Sequence, residues 1–175
     1  MRRFPTGVCV ATTYTDGPPP EDAADAGAPG SRPGEMPGRR HSGVTVNSLT
    51  SLSLEPPLVA LSFGAGSRFL ADLMTSRVWG VSLLDAASAD TASQLTRSKE
   101  ERDRTLLRLA TRTGERTGVL LLEGTGWLEC RYRKHLVTGD HVLVIGEVVG
   151  LGESAQQPPL IFLGGGFHQL PTERV

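Results

Sequence analysis

Residues 43 to 69 read Gly43-Val44-Thr45-Val46-Asn47-Ser48-Leu49-Thr50-Ser51-Leu52-Ser53-Leu54-Glu55-Pro56-Pro57-Leu58-Val59-Ala60-Leu61-Ser62-Phe63-Gly64-Ala65-Gly66-Ser67-Arg68-Phe69. Val44, Val46 and Leu49, then Leu52 and Leu54, mark extended chain within a run of hydroxyl side chains. Glu55-Pro56-Pro57 breaks it, because proline has no N–H to give a ladder. Leu58 to Phe63 is a compact apolar run closed by Gly64-Ala65-Gly66, and it predicts a buried strand. Ser67 can cap a short helix in which Phe69, Leu70, Leu73 and Met74 share one face at helical spacing. A doubly wound nucleotide-binding sheet would place GxGxxG directly after its first strand. Gly64-Ala65-Gly66-Ser67-Arg68-Phe69 lacks the third glycine, and no Walker A sequence occurs anywhere.

Upstream, Val8 to Tyr14 alternates β-branched and small residues and predicts a first strand. Between Asp16 and Arg40 stand six prolines and five glycines without apolar periodicity. Such a segment cannot bury enough surface to offset its ordering entropy, so residues 16–40 are expected to form a mobile surface loop, with His41 in it. The loop is either a tolerated insertion or a lid. Downstream, strands are expected at Val78 to Leu84, Val119 to Leu122, Trp127 to Arg131, His141 to Val149 and Leu160 to Leu163. A helical stretch is expected from Asp85 to about Thr111. Many short strands with one or two inserted helices predict a mainly β, antiparallel barrel rather than regular strand-helix alternation.

The 175 residues suffice for one domain with a sizeable core. The apolar set of 38%, with 21 glycines besides, is ordinary for a globular chain and excludes global disorder. Eighteen basic residues against nineteen acidic leave no field to draw the protein onto nucleic acid or an anionic membrane. No apolar run approaches the roughly 18 residues of a membrane span, and the basic start Met1-Arg2-Arg3 leads into Pro5 and Gly7 instead of a signal core. A reducing cytoplasm is the expected compartment. Cys9 and Cys130 lie in no CxxC or Cys/His cluster and read as buried, inert thiols.

The densest polar cluster runs from Thr45 to Ser53. Its hydroxyls and the Asn47 amide would converge at a strand end, which suits a neutral hydrogen-bonding heterocycle; a solvated edge strand would look the same. Ser67 and Arg68 open a helix after a Gly-rich turn, where amides, a hydroxyl and a guanidinium can hold a phosphate. His141 follows Gly139-Asp140 and opens an apolar strand, either facing a ligand or satisfied at the strand edge. His135 and His168 have no partners at metal spacing, so no metal site is expected. GxSxG and HExxH are absent, so hydrolysis by a triad or a metal has no positive support.

Phe4-Pro5-Thr6-Gly7-Val8 followed by the block Gly43 to Val59 resembles the flavin reductase family, whose fold is the FMN-binding split barrel of Greek-key type. Ser67, Leu128-Glu129-Cys130, Gly139-Asp140-His141, Ile145-Gly146-Glu147-Val148 and Pro159-Leu160 continue the likeness in order. The resemblance implies NADH- or NADPH-dependent reduction of FMN or FAD, often to supply a flavin-dependent monooxygenase, by a homodimer. It implies flavin-binding roles for Thr45, Asn47, Ser48, Thr50 and Ser51 about the ring and ribityl chain. Ser62, Ser67 and Arg68 would lie near the phosphate, and His141 near the nicotinamide or flavin ring as the catalytic candidate. The chain departs from the family in its long 16–40 segment, in Phe69 where many members carry threonine, and in Phe162 and Phe167, which bring no tyrosine hydroxyl to the last strands. A flavin-binding electron carrier or store on the same barrel is the rival reading, and a ligand-free interaction module a third.

Overall fold

The computed structural model describes residues 3–17, 38–154 and 157–170. Its strands are β1 (Thr6–Gly7), β2 (Cys9–Asp16), β3 (Arg39–Val46), β4 (Thr50–Leu54), β5 (Pro57–Gly64), β6 (Val78–Leu83), β7 (Ala110–Thr113), β8 (Leu120–Leu122), β9 (Gly126–Thr138), β10 (His141–Glu153), β11 (Leu160–Leu163) and β12 (Gly166–Gln169). Helix α1 (Arg68–Ser76) follows β5, while α2 (Ala89–Gln94) and α3 (Lys99–Leu109) follow β6.

Seven strands pair in the order β3-β2-β6-β9-β10-β5-β4, every neighbour antiparallel. Alternation along each strand sends Cys9 and Ala11, Leu61 and Phe63, Trp79 and Val81, Cys130, and Val142 and Val144 into one core, closed by Phe69, Leu70 and Leu73 of α1. Strands from both halves of the sheet thus surround the same side chains, and the sheet is rolled into a barrel. Its two edges, β3 and β4, are consecutive in the chain yet stand at opposite ends of the strand order. The barrel is split between them, and Asn47-Ser48-Leu49 crosses the opening. This is the mainly β, split antiparallel barrel with inserted helices that the sequence predicts.

A second core lies on the other face of β2, where Val8, Val10 and Leu84 meet Ala92, Leu95 and Leu106 of the α2–α3 region, Leu120 and Leu122 of β8, and Leu160 of β11. β1, β11 and β12 make a small sheet beside it. The Ser67 hydroxyl caps α1 by accepting from Leu70 N–H at 3.4 Å, as expected. Ser42, Asp72, Lys99 and Asp103 link β3, α1 and α3: Lys99 Nζ lies 2.7 Å from Ser42 Oγ and Asp103, and 3.4 Å from Asp72.

Three expectations are corrected. The helix expected from Asp85 to Thr111 is a 3₁₀ turn at Ala86–Ser88 and two separate helices. The chain breaks after Gln94, where the Thr96 hydroxyl donates to the Ser93 carbonyl, and Ser98 restarts it with a reciprocal capping box to Glu101. Ala110 onward is strand. Asp16, Arg39 and Arg40, expected in the 16–40 loop, are strand residues paired across β2 and β3; residues 18–37 of that expectation lie outside the described residues. His41 is not in a loop: it sits within β3, 5% exposed, edge-on to the Tyr14 ring. β9 and β10 also run longer than expected and form a long hairpin ribbon, its β10 side paired with β5 from His141 to Glu147, with Gly139 at φ 64° supplying the left-handed turn residue. No helix among the described residues is long and apolar enough to cross a membrane.

Candidate active site

A cavity of about 1020 Å³ opens over the split. Ser62 of β5 and Leu143 of β10, opposite one another in register, form one side of it; Cys9 of β2 and Leu83 of β6 form the other. The crossing and the start of β4, Asn47 to Ser51, make the rim, and Phe4 to Gly7 with Phe162 close the flank. Among the described wall residues there is no lysine, arginine, histidine or carboxylate. The site is therefore neutral: hydroxyls, one amide, leucines and two phenyl rings.

The crossing is placed by its own polar side chains. Ser48 Oγ accepts the Ser62 N–H at 3.1 Å and donates to the Ser62 carbonyl at 3.2 Å, taking the place of a ladder partner at the edge of β5. Asn47 Nδ2 donates to Thr6 Oγ1 at 3.2 Å, tying the crossing to β1. Its carbonyl oxygen has no partner among the described residues, and neither have the hydroxyls of Ser51 and Ser62. Thr50 Oγ1 makes only a long bond, 3.4 Å, to the Ser48 carbonyl. Cys9 faces the same space, and burial pushes its thiol up to about 12.

Of the residues singled out in the sequence, Asn47, Ser48, Thr50, Ser51 and Ser62 are brought together on this wall. Thr45 is not: its hydroxyl donates to the Ala92 carbonyl of α2 at 2.7 Å. Ser67, Arg68 and His141 stand beyond the rim, where the turn after β5 meets the start of β10 and Ala65 N–H donates to the Asp140 carbonyl at 2.9 Å. His141 pairs with Gly64, two residues or about 7 Å along β10 from Leu143 and on the same face. Its Nδ1 lies 2.8 Å from Asp140 Oδ1, and this hydrogen bond holds the Asp140 carboxyl below its ordinary range. Arg68 is largely exposed and faces Glu100 at 3.6 Å. Cys9, Leu83 and Leu143 carried no sequence signal for the site, and only the pairing of distant strands identifies them; Phe4, Pro5, Gly7 and Phe162 entered the sequence reading through the family likeness alone, without a role at the site.

The described residues contain no cluster suited to a metal. His135 is engaged with Tyr132 at 2.7 Å and His168 with the Leu163 carbonyl at 3.0 Å. Glu129, in the Leu-Glu-Cys segment, lies outside the cavity. It is 1% exposed and accepts from Arg116 N–H, Thr117 N–H and the Thr117 hydroxyl, so it fastens the turn before β8.

The arrangement can hold a planar, uncharged, hydrogen-bonding ring system with room for a second ring against it; it offers no general base on the wall, and burial keeps its one thiol, Cys9, out of the reactive thiolate form. The family model described as "Flavin reductase like domain" matches residues 1–171. The NADH-dependent FAD reductase of Streptomyces globisporus is 29% identical over 174 residues, covering 97% of this chain and 82% of that protein. The reductase component of 4-hydroxyphenylacetate 3-monooxygenase from Thermus thermophilus is 32% identical over 135 residues, covering 76% and 82%. A probable flavin reductase of Rhizobium meliloti is 28% identical over 112 residues, 64% of this chain, and the match spans only 35% of that longer protein. Among solved structures, the Streptomyces globisporus C-1027 NADH:FAD oxidoreductase SgcE6 superposes with a TM-score of 0.78 at 26% identity, covering 97% of this chain and 88% of that one. With the family model spanning almost its whole length, the chain belongs to the flavin reductase like domain family.

Proposed function

We propose that the protein reduces a free flavin, FMN or FAD, with NADH or NADPH, and releases it to a flavin-dependent monooxygenase. The observation that carries this is the neutral cavity across the split, whose hydroxyl and amide rim fits the edge of an isoalloxazine and whose apolar walls fit its faces. The hydride passes between the two heterocycles, from nicotinamide C4 to flavin N5, so the protein's task is to stack and align them. This accounts for a wall without a base.

Asn47, Thr50, Ser51 and Ser62 supply the hydrogen bonds that orient the ring and ribityl chain, and Ser48 holds the crossing that presents them. Thr45 acts from behind the wall by holding α2. Ser67 and Arg68 receive the flavin phosphate at the start of α1. The Arg68–Glu100 pair is exposed and worth at most about 1 kcal/mol, so it does not withhold the guanidinium. His141, with Asp140 on its Nδ1, turns its other nitrogen toward the nicotinamide amide or the flavin ring. The protein works as a cytoplasmic homodimer; Leu54, 90% exposed on the β4 edge, and Val137, 71% exposed on the β9–β10 ribbon, are the apolar surface a second copy would cover.

The test is oxidation of NADH and NADPH by the purified protein, with FMN or FAD added, together with the visible spectrum of the protein alone. Rapid turnover that requires added flavin is expected. A yellow protein that turns over nicotinamide poorly would make it a carrier or store instead, and no binding of either flavin would remove the reading. His141→Ala should lower kcat more than it weakens flavin binding.

A further inference from the structure

Arg97, Glu101 and Thr105, and beside them Arg104 and Arg108, are spaced four residues apart, so all five stand on one face of α3, continued a turn before its cap at Ser98. Leu106 is buried on the opposite side, which turns this face away from the barrel. Gln94, the last residue of α2, meets it across the elbow between the two helices. Together they line a cavity of about 290 Å³, roughly the volume of ten water molecules in the liquid. None of its lining residues belongs to the cavity over the split.

Three guanidiniums converge here against one carboxylate. Each guanidinium is held by one edge: Arg108 Nη2 donates to Gln94 Oε1 at 2.6 Å, Arg104 Nε donates to the Glu100 carbonyl at 3.3 Å, and Arg97 faces Glu101 at 3.8 Å. The carboxylate is engaged as well, since the Ser98 N–H and hydroxyl donate to Glu101 Oε2 at 3.3 and 2.8 Å. An arginine carries five N–H donors, so these anchors fix the side chains and leave most of their donors open. The Gln94 amide nitrogen and the Thr105 hydroxyl are further donors on the wall. Like charges gathered on one concavity repel one another; an anion relieves that repulsion and fills the open donors.

We propose that this cavity binds a small multivalent oxyanion, a polyphosphate or a polycarboxylate, on Arg97, Arg104 and Arg108. The planar fork of arginine matches both groups in shape. The site does not depend on the flavin and nicotinamide reading. Its ligand would brace the elbow between α2 and α3, where the Ala92 carbonyl accepts the Thr45 hydroxyl at 2.7 Å and the Leu95 carbonyl accepts the Thr45 N–H at 3.1 Å, so it stabilises the docking of both helices on β3.

The test is calorimetry of the full chain at low salt with inorganic pyrophosphate and with citrate, against sodium chloride matched in ionic strength, for the parent, Arg104→Gln, Arg108→Gln and Arg68→Gln. Binding at one site per chain is expected, with a rise in Tm that chloride does not give. Arg104→Gln and Arg108→Gln should each weaken binding about tenfold. Both side chains are exposed, so the urea midpoints of these variants without ligand should match the parent. Arg68→Gln, at the other anion site of the molecule, should leave the affinity within about twofold of the parent. The stronger of the two ligands tells phosphate from carboxylate chemistry. Heat and Tm no different from the chloride control overturn the proposal. So does equal weakening in all three variants, which marks a general charge effect, or loss in Arg68→Gln alone, which places the anion at the start of α1.

Discussion

Ser48 shows how one hydroxyl can do the work of a backbone pair. It satisfies both the N–H and the carbonyl of Ser62, at an edge where β5 has no strand partner. Ser48→Ala should cost about 1–2 kcal/mol in the denaturant midpoint and weaken flavin binding, while Ser48→Thr should retain most of both. Cys9 and Cys130 are governed by burial: both thiols are pushed up to about 12, from 9.0 for an exposed thiol, with the Glu129 charge adding to the effect at Cys130. The unfolded chain thus ionises at lower pH than the folded one, and stability should fall as pH rises through that interval. At neutral pH, mass spectrometry after iodoacetamide should find both cysteines unmodified in the native protein and alkylated in denaturant. Gly146 is fixed by a neighbour: a Cβ there would overlap the indole of Trp79, which is fully buried. Gly146→Ala should destabilise by about 1–3 kcal/mol in chemical denaturation, since the ring has nowhere to move in a packed core.

At the level of elements, Lys99 joins α3 to α1 and β3 through Asp103, Asp72 and Ser42. All three charged side chains are about a quarter exposed, so the network is worth more than a surface pair and less than a buried one. Lys99→Met should cost about 1–2 kcal/mol, and adding Asp72→Asn should recover part of it, as read by a double-mutant cycle in urea. No sequence pattern announced this network, because its members are brought together by packing. The elements themselves were legible where a strong local signal stood alone. Glu55-Pro56-Pro57 and Gly64-Ala65-Gly66 bounded β5, and Ser67 announced α1. The signal failed between Asp85 and Thr111, where leucines among charges suit one long helix as well as two short ones, and the break is made by Thr96 and Ser98 hydrogen bonds that periodicity does not register. It failed again at His41, whose flanking arginines and glycines read as loop although pairing with Tyr14 across β2 and β3 buries it. For the site, the hydroxyl run was visible as a run. Which hydroxyls face the cavity and which, like that of Thr45, turn to a helix depends on strand faces that only the assembled barrel defines.

Across the whole molecule, charge is balanced at −1 and the principal cavity is neutral, so no net field drives or opposes the pairing of two copies. Sedimentation should return a dimer for the parent and a larger monomer fraction for Leu54→Asp and Val137→Asp, whose side chains leave the cores untouched. A parent that sediments as a monomer at every concentration would remove the homodimer. The split also carries a kinetic consequence. Residues 47–49 are held over the opening by two hydrogen bonds from Ser48, one from Asn47 and the packing of Leu49 against the barrel core, and not by a ladder. Such bonds contribute about 2–4 kcal/mol together, against roughly 5–15 kcal/mol for unfolding a domain. Packing of Leu49 adds to that figure, yet the crossing is still expected to open at lower cost than the barrel, since every strand can stay paired meanwhile; faster amide exchange at residues 47–49 than in β2 and β6 is the result to look for. Stiffening of the strands and opening of the cavity are therefore expected to respond to different substitutions, the former to those in the core and the latter to those at Asn47, Ser48 and Leu49.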